Sequence, residues 1–193
     1  MIIPRKEKKA MNFREEPMHV ENIRRRLKAF DMLAKKADLR VRVLVLGGTA
    51  LSLNLALKNK GEIRSTRDID VSFIDEVPKE FKETLEMLNI NNDVERVMNP
   101  DTTEIINNGE WREFNDDYTN ITVYLISLEM LVAMKSLSQR QTDYNDATNK
   151  AVLEVLNRER AIALINEYKG DILNPDSMNH HYKEVLEILE TDM

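Results

Sequence analysis

The chain has 193 residues and a formal net charge of −6, with 42% hydrophobic and 32% charged residues. Such proportions fit a soluble globular domain that buries a core, and no apolar run approaches the roughly 20 residues needed to cross a bilayer. It contains no cysteine, which excludes disulfides and thiolate metal sites. The start MIIPRKEKKA lacks an apolar signal core, so the expected location is the cytoplasm, with no membrane partner. Charge is uneven along the chain. Residues 1–42 hold 13 basic against 6 acidic residues, and the remainder 15 against 28. The cluster Arg24, Arg25, Arg26 and Lys28 is therefore read either as a polyanion contact or as the solvated face of a helix.

Residues 1–18 read as an N-terminal arm ending near Pro17. From Val20 to Lys36 the apolar positions Val20, Ile23, Leu27, Phe30 and Leu33 recur every three or four residues, which predicts a helix with one buried stripe. VRVLVL (Val41 to Leu46) is short, β-branched and stopped by Gly47-Gly48, the pattern of a buried strand. A helix is expected from Thr49 to about Lys58, then a polar loop around Gly61, then a strand through Ile69, Val71 and Phe73. Pro78 is placed at the first position of a helix running to about Leu88. TEII and EWREF are expected as short strands around Asn108-Gly109, and NITVYLI (Asn120 to Ile126) as a further strand. After Ser127, a helix N-cap by its type, the chain reads as helical to the end, with breaks near Arg140, Asn157 and Gly170 to Pro175. The predicted fold class is α+β: a small mixed sheet with flanking helices over residues 19–126, followed by a helical region over 127–193 packed on that core.

Chemistry is concentrated around one strand. Asp68 and Asp70 sit two apart inside the alternation of Ile69, Val71 and Phe73, so both carboxylates leave the same face. Two like charges held together and partly desolvated are unfavourable unless something neutralises them, and a divalent metal would do so. The Gly47-Gly48 turn leads directly into a helix whose first N–H groups, near Thr49, suit a phosphate. Arg64 and Thr66 place a guanidinium and a hydroxyl just before the acid pair. On the helix SLEMLVAMKSLSQR, the stripe Leu128, Leu131, Met134 and Leu137 puts Lys135 at an apolar edge, either snorkelling to solvent or reaching inward to an anion.

LVLGGTAL, RSTRDIDVSF and LVAMKSLSQRQTDYNDA together resemble the minimal nucleotidyltransferases of the DNA polymerase β superfamily, in a toxin-like branch related to the abortive-infection type II nucleotidyltransferases. The resemblance spans Val43 to about Ala147. It implies that Gly47, Gly48 and Thr49 face a triphosphate, together with Arg64 and Thr66. It further implies that Asp68 and Asp70 hold Mg²⁺ or Mn²⁺, that Lys135 approaches the phosphates, and that Asp143 or Asp146 completes the acidic side. The implied activity moves an NMP from an NTP to a hydroxyl of RNA, tRNA by analogy, or of a protein, in a toxin or phage-defence setting with a cognate antitoxin partner. The pattern departs from the superfamily in one respect: the strand NITVYLI, where a third acid is sought, has none, leaving Glu104, Glu113, Asp116, Asp117 or an acid after Lys135 as substitutes. A fold of this kind that binds nucleotide or RNA without turnover, or one serving as the antitoxin or partner subunit, is the alternative.

Overall fold

The computed structural model describes residues 19–60, 66–92, 100–171 and 181–191. Five strands form one mixed sheet in the order β3-β2-β1-β5-β4. Its centre is β1 (Val41–Val45), parallel to β5 (Ile121–Ile126) with Val43 opposite Val123, and antiparallel to β2 (Ile69–Phe73) with Val45 opposite Val71. The short β3 (Ile90–Asn91) lies parallel to β2, and β4 (Trp111–Glu113) closes the other edge antiparallel to β5.

Paired residues share a face and neighbours along a strand alternate, so the register sorts the sheet into two unlike surfaces. One carries Val43, Val45, Ile69, Val71, Val123 and Leu125, all buried. Helix α1 (Val20–Lys36), with the bounds its periodicity predicts, covers this face, its Phe30 ring packing edge-on to Phe73 and against Phe81 of α3 (Lys79–Glu86). Buried Asp31 anchors α1 by accepting the backbone N–H groups of Thr119, Asn120 and Ile121. The other face carries Arg42, Leu44, Asp70, Ser72 and Tyr124, and it is the face with chemistry.

Helix α2 (Gly47–Leu57) starts two residues earlier than the sequence suggests. Thr49, Ala50, Leu51, Ser52, Leu53, Asn54 and Leu55 are all buried, so α2 is enclosed on every side and fixes the end of β1 from which it springs. Pro78 is the N-cap of α3 rather than its first residue. The expected strand TEII is instead helix α4 (Thr102–Asn107). Asp101 caps it by accepting the Glu104 N–H at 2.9 Å, and this Asp-x-x-Glu start outweighs the β-branched composition.

Ser127 caps α5 (Leu128–Ser136), accepting the Met130 N–H at 3.0 Å. Then come α6 (Gln141–Ala147), α7 (Lys150–Leu153), α8 (Arg158–Tyr168) and α9 (Tyr182–Thr191), with Asn149 and Asn157 capping α7 and α8. Helix α5 packs against α2, α6 and α8. Its start is pinned by buried Glu110, whose carboxylate accepts from the Ser127 hydroxyl and the Arg160 guanidinium. The buried apolar side chains form one cluster from Ile23 to Leu189, so the sheet and the C-terminal helices share a core. No helix among the described residues is long and apolar enough to cross a membrane.

Candidate active site

Where β1 ends, Gly47 adopts φ +59° and the chain turns into α2. A Cβ at this position would lie 2.3 Å from Asp70 Oδ2. Any side chain here would expel the carboxylate, so glycine is what allows the strand end to press against the acid. The Leu46 N–H donates to the Asp70 carbonyl at 2.9 Å, continuing the β1–β2 ladder. Ala50 is the residue whose N–H makes the first intrahelical bond, to Leu46, and no side chain caps the start of α2. The positive end of an eleven-residue helix thus abuts Asp70.

Asp68 and Asp70 are both half-buried, and Ile69 between them is fully buried on the opposite face. The Thr49 and Thr66 hydroxyls both donate to the Asp68 carbonyl, at 2.9 and 3.0 Å. In the resting protein these two hydroxyls hold the entry to β2. The Asn91 side chain donates to Asp68 Oδ2 at 3.0 Å. Burial, reinforced by the neighbouring Asp68 charge, pushes the Asp70 carboxyl up to about 6, against the opposing influence of Asn91, Arg140 and Lys135.

Lys135 does not lie at an apolar edge with its tip in water. Met130, Val132, Ala133 and Ser136 are buried along with Leu128 and Leu131, so α5 is enclosed on most sides and Lys135 is only 5% exposed. Its ammonium donates to Asp143 Oδ1 at 2.6 Å and Asp146 Oδ2 at 2.9 Å. Asp143 also accepts from Arg140 Nε and the Ser138 hydroxyl, each at 2.7 Å. Burial works against the Asp143 charge, yet Arg140, Lys135 and Ser138 together hold its carboxyl below the usual carboxylate range. Two acids and two cations make a compensated cluster, and the charges of Lys135 and Arg140 are felt at Asp70. The Arg140 side chain is 76% exposed although its Nε is bound to buried Asp143, so of the two cations it is the one that reaches solvent.

The fold thus gathers Gly47, Gly48, Thr49, Thr66, Asp68 and Asp70 at one end of β1 and β2, with Lys135, Asp143 and Asp146 in a separate charged cluster whose Lys135 charge is felt at Asp70. Arg64 lies outside the described residues. Two participants were not singled out in the sequence. Asn91 sits on a two-residue strand that has no readable period, whereas Arg140 stands three residues before Asp143, a helical ion-pair spacing that does mark it.

The search for a third acid changes with the topology. NITVYLI forms β5, which does not neighbour β2; the neighbours are β1 and β3, and the residue opposite Asp70 is Asn91. Of the proposed substitutes, Glu104 accepts from the Tyr168 hydroxyl and Asp116 pairs with Arg24. Glu113 is on β4, at the far edge of the sheet, and Asp117 is in the loop before β5. The basic cluster on α1 is also largely engaged. Arg26 is fully buried and donates to the Leu88 carbonyl; Arg24 lies over Phe114; Lys28 donates to the Asp117 carbonyl. The helical period explains the first case, since Arg26 falls on the same stripe as Ile23 and Phe30.

Among the described residues no group of three or more His, Cys, Asp or Glu could hold a metal ion, so the donor set at β2 is two carboxylates. That set fits a hard divalent cation such as Mg²⁺, which takes oxygen ligands and commonly binds one or two protein carboxylates plus substrate phosphates. Neither the curated proteins nor the solved structures provide a match to this chain. A family model does match, over residues 25–188, from within α1 to within α9. The chain belongs to that family, described as a nucleotidyltransferase of unknown function (DUF6036).

Proposed function

We propose that this protein moves a nucleoside monophosphate from an NTP to an acceptor hydroxyl at the end of β1 and β2, the new phosphodiester bond replacing the α–β anhydride bond with release of pyrophosphate and of the hydroxyl proton, and with Mg²⁺ or Mn²⁺ held by Asp68 and Asp70. The observation that carries this reading is the close approach of Gly47 to Asp70, 2.3 Å from an added Cβ, which brings an uncapped helix start and a carboxylate pair to one point. A triphosphate has use for both: N–H groups of Gly48 and Thr49 for its anionic oxygens, and carboxylates for the cation that accompanies it. The cation, when bound, neutralises charge on the phosphates and favours the attacking oxygen. Asp68 and Asp70 would hold it; Lys135, paired with Asp143 and Asp146, fixes the buried charged cluster on which Arg140 is anchored. The acceptor classes are RNA, tRNA by resemblance, or a protein side chain, and the toxin, antitoxin and phage-defence settings rest on resemblance alone.

A second reading, nucleotide binding without turnover, has one observation in its favour: Asn91, not an acid, stands opposite Asp70. Incubation with each α-³²P-labelled NTP, Mg²⁺ or Mn²⁺, total RNA and a protein extract separates the two. Transfer of label by the wild-type protein, lost in Asp68→Asn/Asp70→Asn, is the expected result. Nucleotide binding with no transfer to either acceptor class would favour the second reading.

A further inference from the structure

Asn91 ends β3 and stands opposite Asp70 in the parallel β2–β3 register, so their side chains leave the same face of the sheet. It is half-buried, and its amide nitrogen donates to Asp68 Oδ2 at 3.0 Å. The amide orientation follows from chemistry, because only the NH₂ end can face a carboxylate. One neutral side chain therefore touches one acid of the pair and lies directly across from the other. An alanine would leave Asp68 without this partner. An aspartate would put a third negative charge beside two that already repel.

We infer that Asn91 is a positioning residue for the cation: it holds Asp68 in the orientation it shares with Asp70, and it sets the charge of the centre at two carboxylates. The inference rests on the reading that Asp68 and Asp70 take a divalent cation. A merely structural asparagine, tying β3 to β2, predicts that any replacement lowers stability and leaves cation affinity alone. A positioning residue predicts that alanine and aspartate move affinity in opposite directions.

Thermal-shift titration of the full chain with Mn²⁺ alone reads this without any turnover. Asn91→Ala is expected to weaken Mn²⁺ binding about tenfold, the low end for the loss of a group that orients a metal ligand. Asn91→Asp is expected to lower the melting temperature without Mn²⁺ and to bind the ion more tightly than wild type. Asn91→Ser, which retains a small donor, should fall between wild type and alanine. Apparent Kd values within twofold of wild type for both the alanine and the aspartate variants overturn the inference. A wild-type protein that does not respond to Mn²⁺ overturns the cation reading itself, and that failure shows in the wild type before any variant is compared.

Discussion

Asp70→Asn is expected to raise the melting temperature of the cation-free protein at pH 8, a stabilising change at a residue of the candidate site. The folded protein holds the Asp70 carboxyl at about 6 against an ordinary value of 3.8, through burial first and the Asp68 charge second. A shift of this size corresponds to roughly 2–3 kcal/mol of unfavourable free energy for ionising the group in the fold. The sign follows from proton uptake. The native state binds this proton more tightly than the unfolded chain does, so its contribution is favourable below about pH 4. It is lost as pH rises through about 6 and stays lost above. Asparagine keeps the shape without the charge, and a gain of about 2 kcal/mol moves the melting temperature of a domain this size by several degrees. Thermal melts from pH 4 to 8 check it. The wild type should lose stability across this range relative to Asp70→Asn; parallel profiles, or a less stable variant at pH 8, would show that the fold does not disfavour the charged Asp70 carboxylate.

Gly47→Ala should damage both fold and site. The backbone sits at φ +59°, which costs an L-residue roughly 1–2 kcal/mol, and the new Cβ would meet Asp70 Oδ2. The carboxylate has to rotate away, so the variant is expected to lose several degrees of thermal stability and most of its response to Mn²⁺. Gly109→Ala provides the comparison, since Gly109 has φ +71° with nothing within 4 Å of an added Cβ. It should show the backbone cost alone and a normal Mn²⁺ response. Equal Mn²⁺ affinity in Gly47→Ala and wild type would mean that the close approach serves only the turn.

Features written in local periodicity are legible in the sequence. The helix Val20–Lys36, the strand beginning at Val41 and the facing of Asp68 and Asp70 all follow from spacings of 3.6 or 2 along a few residues. Features that depend on distant partners are not. Lys135 is buried on an enclosed helix where Asp143 and Asp146 compensate its charge, and those partners lie eight and eleven residues further along the chain. Arg26 looks like one more member of a basic run, and its position on the apolar stripe of α1 is what takes it inside to the Leu88 carbonyl. The misreading of TEII shows a local signal overlooked, since the Asp101 cap and Glu104 stand in the sequence. Asn91 was hidden differently: β3 is two residues long, and only pairing with β2 gives its side chain a direction.

Asp68, Asp70 and the start of α2 make up the proposed cation-dependent nucleotide site. Calorimetric titration of a non-hydrolysable NTP analogue tests it most directly, with Mn²⁺ and then with EDTA, on the wild type and on Asp68→Asn/Asp70→Asn. The account predicts that the wild type binds the analogue with Mn²⁺, loses at least tenfold in affinity, about 1.4 kcal/mol, when the ion is removed, and that the folded double variant gains nothing from it. Equal affinity with Mn²⁺ and EDTA, or equal affinity in the wild type and the double variant, would contradict it.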